Sequence, residues 1–174
     1  MVRIIYKEGC EGQNKIECIE GIEIELLNGW KELVYPKYRK LPLLSKAKIE
    51  DWKASELTEI QALKVLDGKA LTDGLLELGS PAAEFVRQFK SDRRGRFDLP
   101  TLLAAGENVD QKEDIDALAE TIEGADLLRD VNFNLWSCCR NSFASAWYAN
   151  GYCGFFDEYA LSCELSAVPT KIYK

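Results

Sequence analysis

Apolar and polar residues alternate between Ile16 and Leu27, with Ile16, Cys18, Ile22, Ile24 and Leu26 set against Glu20, Glu23 and Glu25. A period of two predicts a strand or hairpin arm with one face buried, and Asn28-Gly29 supplies its turn. Pro36 and Pro42 bracket a basic connector, YPKYRKLP. Helical spacing takes over from there. Ser45 is placed to cap a short helix through Trp52, and Ser55 to cap a second that carries Leu57, Ile60, Leu63 and Leu66 as far as Gly68. Ser80-Pro81 opens a third, since proline at the first helical position gives up no hydrogen bond, and Phe85, Val86 and Phe89 share one face. After Leu99-Pro100, Thr101 can cap the LLAAGE segment. The strongest helix runs from Asp110 to about Glu123. Asp110 and Glu113 have capping-box spacing, Ile115, Leu118, Ala119 and Ile122 form one stripe, and Gly124 ends it.

Beyond Asp130 the helical period disappears. Short aromatic segments follow, separated by Asn150-Gly151 and Gly154, and these read as several short strands joined by turns and irregular loops. Helices followed by strands imply an α+β fold, not a doubly wound sheet. Residues 1–45 form an N-terminal strand or hairpin segment and 46–174 the main domain, unless the whole chain is one domain.

The tail is unusual in composition. Trp136, Phe143, Trp147, Tyr148, Tyr152, Phe155, Phe156 and Tyr159 crowd into it with Cys138, Cys139, Cys153 and Cys163. Its only charges between Leu135 and Thr170 are Arg140, Asp157, Glu158 and Glu164. On a chain of net charge -7, such a segment is either a buried core or a binding surface. Trp136 and Trp147 read as core. Phe155 and Phe156 are adjacent, so on a strand they point to opposite faces and at least one is exposed.

Charge and composition exclude several functions. A pI near 4.8 argues against nucleic acid and anionic membranes as partners. The basic run KSDRRGR (90–96) reads as a solvated loop, and the carboxylates Asp110, Glu113, Asp114 and Asp116 as a solvated helix face with no EF-hand spacing. Histidine is absent, which removes His-based nucleophile pairs and histidine metal ligands. None of the six cysteines forms a CxxC, so neither zinc nor thioredoxin-type chemistry is expected. No phosphate-binding glycine motif occurs, and no cofactor or metal is expected. The N-terminus lacks the pattern of a signal peptide, and no run of about 18 apolar residues occurs. Cytoplasmic synthesis with reduced thiols is the expectation.

One ordered set of short motifs carries a resemblance: LPT (99–101), a helix, WS (136–137), AW (146–147), NG with a following glycine (150–154), and AVP (167–169). Over roughly residues 97–170 the chain resembles the C-type lectin fold in its formylglycine-generating-enzyme-like branch. In particular it is similar to the variable proteins of diversity-generating retroelements of phages and their hosts. The resemblance implies a lectin-like domain over 46–174 with a hypervariable region at about 135–169 that binds changing targets. That family diversifies adenines, and its favoured AAC codon can become any codon ending in C. Asn, Tyr, Phe, Ser, Cys, Asp, Ala, Gly and Leu are then reachable, but not Lys, Met, Gln, Trp or Glu. No Lys, Met or Gln occurs between Ile115 and Thr170, although Glu158 and Glu164 depart from the rule.

By this resemblance Trp136, Ser137, Ala146, Trp147, Gly151, Gly154, Ala167, Val168 and Pro169 are scaffold. The implied exposed ligand contacts are Cys138, Cys139, Asn141, Ser142, Phe143, Tyr148, Asn150, Tyr152, Cys153, Phe155, Phe156, Asp157, Tyr159, Leu161 and Cys163. The cysteines are then products of diversification with no chemical role. The implied activity is non-catalytic binding of a protein or surface glycan, with the chain as a possible component of a phage particle. The calcium motifs of sugar-binding lectins are absent. Two other readings stay open: a formylglycine-generating-enzyme-like cysteine-dependent oxidase, and a structural virion subunit whose aromatic tail is an oligomer interface.

Overall fold

Residues 1–174 are described by a computed structural model, in which the N-terminal apolar run forms β1 (Val2–Tyr6) and the alternating segment forms β2 (Ile19–Glu25). Ile16–Cys18, expected to belong to that strand, is instead a single 3-10 turn. Ile22 and Ile24 are fully buried, as the period of two requires. The predicted Asn28-Gly29 turn forms: Gly29 has φ +81, and Asn28 Oδ1 accepts the Trp30 N–H at 3.0 Å. A left-handed φ is open to glycine without steric cost, so the chain reverses there into β3 (Lys31–Val34). The basic connector supplies β4 (Arg39–Leu41). The run KSDRRGR is no loose loop but a small hairpin, β5 (Lys90–Ser91) with β6 (Gly95–Arg96). It docks on the first sheet, where Glu20 accepts the Asp92 N–H at 2.9 Å and the Arg94 guanidinium lies 3.2 Å from the Tyr173 ring centroid.

The tail forms β7 (Asn134–Ser142), β8 (Ser145–Asn150), β9 (Phe156–Ala160), β10 (Leu165–Ala167) and β11 (Thr170–Tyr173). Two main sheets result, one in the order β1-β2-β3-β11 and the other β4-β10-β7-β8-β9. Both combine N-terminal and C-terminal strands, because β3 pairs with β11 and β4 with β10. The N-terminal 45 residues are therefore woven into the same sheets as the tail. The architecture is mixed α+β. No helix is long and apolar enough to cross a membrane.

Three helices start at side-chain caps, whereas Ser45, expected to cap a helix through Trp52, makes no cap hydrogen bond and precedes only a 3-10 turn (Lys46–Asp51). Thr58, not Ser55, opens α1 (Glu59–Leu63): the Arg140 carbonyl holds the Leu57 N–H, and Gln61 completes the Thr58 capping box. Gly68, expected as a stop, is instead the cap of α2 (Lys69–Glu77). Ser80 caps α3 (Pro81–Arg87) as predicted, accepting the Ala83 N–H at 3.1 Å, and Thr101 caps α4 (Leu102–Asp110). The predicted helix from Asp110 divides differently. Asp110 ends α4, Gln111 breaks the helix, and α5 covers Lys112–Ala119, so the Asp110–Glu113 box does not form. Its stripe survives, with Ile115, Ala119 and Ile122 buried. Asp116, expected on a solvated face, is buried. Its carboxylate accepts the Leu128 and Arg129 N–H groups at 2.7 and 3.1 Å and so holds the start of α6 (Leu128–Val131).

Two apolar cores lie on either side of the second sheet. Leu135 and Ala149 enter one with α4 and α5, while Trp136 and Tyr148 enter the other with α2 and α3. Phe156 packs against both. Buried Asp98 ties the layers together. It pairs with Arg87 on α3 at 2.9 Å and Lys171 on β11 at 3.2 Å, and its backbone exchanges two hydrogen bonds with Thr170 at 2.8 and 2.9 Å. Burial pushes its carboxyl up against the downward pull of Lys171 and Arg87.

Glu32, on β3, is fully buried as well. Asn108 donates to one of its oxygens at 2.9 Å, while the other oxygen and the Asn108 carbonyl have no partner. Burial drives this carboxyl well above its ordinary value. As a neutral acid it gains an O–H donor that a carboxylate lacks.

Two outcomes follow from these buried groups. Asp98→Ala strips largely buried Lys171 of its ion pair and leaves Arg87 with Asp73 alone, and is expected to cost about 3 kcal/mol of stability in urea unfolding. Unfolded Glu32 ionises above its ordinary value of 4.5 while the folded residue keeps its proton, so the parent loses stability as pH rises through that value. Glu32→Gln removes the titration. Its urea midpoint is expected to gain on the parent's between about pH 5 and pH 8; a constant difference would mean that Glu32 is ionised in the fold.

Candidate ligand surface

β7 is the middle strand of its sheet, and Leu135 to Arg140 are buried. Its pairing with β8 is irregular. Trp136 lies opposite Tyr148 and Arg140 opposite Ala146, so Ser137, Cys138 and Cys139 face Trp147 alone. This bulge turns the Cys138 N–H away from β8 to the Pro100 carbonyl at 2.9 Å. Ser137 Oγ fills the gap, donating to the Trp147 carbonyl at 2.7 Å and accepting the Cys139 N–H at 3.2 Å.

Four of the expected contact residues are therefore not exposed. Cys138 and Cys139 are fully buried, because the bulge sits in a strand covered on both faces. Tyr148 is buried opposite Trp136 on the neighbouring strand with its ring against Tyr159, and Leu161 is buried where its backbone bonds Ala144 and Leu44. The shared hydrogen bond with Cys139, together with burial, pushes the Cys138 thiol well up, so it is a poor nucleophile at neutral pH. All six cysteines are free thiols, and of those in the tail Cys153 is exposed and Cys163 half-buried.

The other eleven expected positions reach the surface in part or fully. Phe143, Tyr152, Cys153, Phe155, Asp157 and Tyr159 are exposed, and Asn141, Ser142, Asn150, Phe156 and Cys163 are half-buried. They do not form one cluster. Phe143, Asn141 and Ser142 sit at the β7–β8 turn, whereas Asn150, Tyr152, Cys153 and Phe155 sit at the β8–β9 loop. Those ends are separated by the length of β8, about 17 Å at strand rise. Asp157 and Tyr159 lie between them on β9, the edge strand.

Most of the exposed rings rest on another ring or a cation. Tyr159 meets Tyr148 edge-on at 5.8 Å, Tyr152 meets Phe133 at 5.8 Å, and Phe143 lies 5.8 Å from the Arg140 guanidinium. Such contacts favour defined ring orientations before any ligand arrives. Gly151 keeps the β8–β9 loop close-packed, since a Cβ there would lie 2.2 Å from the Phe133 carbonyl oxygen.

Arg140 fixes the other end. It is buried without a carboxylate partner, and its guanidinium donates to the carbonyls of Ser142, Phe143, Trp52 and Ala54 at 2.8–3.0 Å. The β7–β8 turn is thus clamped to the strap Trp52–Leu57. The strap is bonded again by Leu57 N–H to the Arg140 carbonyl at 2.9 Å and by Trp147 Nε1–H to the Leu57 carbonyl at 2.8 Å. Trp136 is fully buried as a scaffold residue should be, and Trp147 is half-buried under the strap.

A cavity of about 260 Å³ opens beside the β8–β9 loop, lined by Asn150, Phe155 and Phe156 but also by Leu27, Leu63 and the last turns of α4. The sequence reading missed this second half. One signal was present: Leu27 is a large apolar residue next to the Asn28-Gly29 turn, where a core-facing role is hard to arrange. No cluster of three or more Cys, Asp or Glu is placed to hold a metal ion. In comparisons with known proteins, the chain matches no family model, no curated protein and no solved structure.

Arg140→Met removes the donor shared by four carbonyls and is expected to cost about 3 kcal/mol in urea unfolding. Phe143→Ala, which truncates a half-exposed ring beside the Arg140 guanidinium, is expected to cost no more than about 1 kcal/mol.

Proposed function

We propose that this chain is a non-catalytic ligand-binding protein of C-type lectin type whose C-terminal region carries a diversified surface. The observation that carries the reading is the division of labour within the tail. Of the motif residues, Trp136, Ser137, Ala146, Gly151, Ala167, Val168 and Pro169 are buried, Trp147 is half-buried and Gly154 exposed, while Phe143, Tyr152, Phe155 and Tyr159 stand exposed among residues reachable from AAC. Aromatic rings supply contact area with few rotors to freeze, and Asn, Ser and Asp supply adaptable hydrogen bonds. Binding would rest on shape and hydrogen-bond complementarity to a protein or surface glycan, and the chain could be carried on a phage particle. Burial moves Cys138, Cys139, Tyr148 and Leu161 from the contact set to the scaffold. The sealing of Cys138 and Cys139 also takes the adjacent thiols of the tail away from the cysteine-dependent oxidase alternative.

The DNA around the coding sequence tests the reading. A near-copy of the segment for residues 135–169, differing mainly at adenines and accompanied by a reverse-transcriptase reading frame, is expected. Absence of both from the element's genome would sink it. If the repeat is present, its variable codons should fall on the exposed tail positions. Tyr152→Ala and Phe155→Ala should then each weaken binding to a selected target by about 2 kcal/mol while leaving the urea midpoint nearly unchanged.

A further inference from the structure

We propose that the cavity beside the β8–β9 loop is a receptor pocket for one cationic side chain, a lysine or arginine on the surface of a protein ligand. This deepens the binding reading and rests on it in taking the occupant as part of a protein. The walls are apolar: Leu27, Leu63, Leu103, Val109, Phe155 and Phe156. Leu27 and Phe155 are 83% and 73% exposed, so the rim leaves apolar surface in water that an aliphatic stem would cover.

Three polar side chains line the pocket, neutral Asn150 at the end of β8 and two carboxylates. Glu107 and Asp110 line it from the last turn of α4, and neither forms an ion pair. Glu107 is 93% shielded by the fold with one oxygen held by Gln111 at 3.2 Å, and burial together with Asp110 pushes its carboxyl up. The nearby cation, Lys112, caps the Val109 carbonyl at 3.4 Å and lies 5.5 Å from the Phe133 ring centroid, and it does not line the pocket. Apolar walls ending at two unpaired carboxylates suit an alkyl stem with a positive head.

Size narrows the occupant further. At about 260 Å³ the space falls below the roughly 300–1,000 Å³ of pockets that enclose drug-sized ligands, which favours a single side chain over an oligosaccharide. The pocket also has two kinds of wall. Asn150, Phe155 and Phe156 belong to the proposed diversified set, whereas Leu27, Glu107 and Asp110 lie outside it. Diversification would then reshape the mouth around a fixed preference for positive charge.

The test uses the whole chain and three single-residue probes, the N-acetyl, N-methylamide derivatives of lysine, arginine and norleucine, followed by backbone NMR shifts. Lysine or arginine is expected to shift the amides of Leu27, Gly106 and Gly154 in a saturable way and to bind about tenfold more tightly than neutral norleucine. The double variant Glu107→Gln/Asp110→Asn, checked for an unchanged fold by circular dichroism, should erase that preference. Equal binding of norleucine, or no saturable shift at these amides with any probe, overturns the pocket. The two proposals fail separately. An adenine-diversified repeat with no probe binding would sink the pocket alone, and charge-selective probe binding without the repeat would sink the diversified-surface reading alone.

Discussion

A buried cation inside an aromatic hairpin is the constraint around which the candidate surface is built. Arg140 cannot give up its charge, and the fold brings it no carboxylate, so its donors must be met by backbone carbonyls. Those carbonyls come from two places far apart in sequence, the β7–β8 turn and the strap after the second 3-10 turn (Lys46–Asp51). Satisfying one guanidinium therefore fixes the turn, the strap and the Trp52 ring 4.8 Å away together. A neutral residue in its place would leave four carbonyls without this donor, that of Trp52 in a buried site.

The same logic explains how a tail so poor in charge can be both core and surface. β7 is flanked by β10 and β8 and covered on both faces, so side chains along its middle are buried whatever their type. At the outer strand β9 and at the two ends of β8, no layer lies outside, and aromatic rings remain in water. Cysteines occupy both settings: Cys138 and Cys139 fill space in the bulge, and Cys153 stands in the loop. Residue type alone does not separate them.

Acidic residues show a similar division. Asp98 and Asp116 are buried and organise the chain, one by holding two cations and the other by receiving the first N–H groups of α6. Glu32 is buried with an unmet oxygen. Glu107 and Asp110 stand unpaired at an apolar pocket, which makes them the acidic pair with the clearest opening for a partner. A net charge of -7 describes none of these differences.

Local chemistry set much of the architecture before any long-range contact. The period of two around Ile22 and Ile24, the Asn28-Gly29 turn, the Ser80 and Thr101 caps and the Ile115–Ile122 stripe were all legible, because each depends on neighbours within about four residues. The α+β class and the burial of Trp136 were legible for the same reason. Other features were decided only by the tertiary structure. Whether Ser55 or Thr58 began a helix was tied to Arg140, whose carbonyl takes the Leu57 N–H and holds that stretch extended. The bulge that buried Cys138 and Cys139 needed the Pro100 carbonyl, and the pocket needed a hairpin tip from the N-terminal sheet brought against α4. Hydrogen-bond partners and cavity walls contributed by segments tens of residues apart leave no periodic trace in the chain, so only the folded arrangement reveals them.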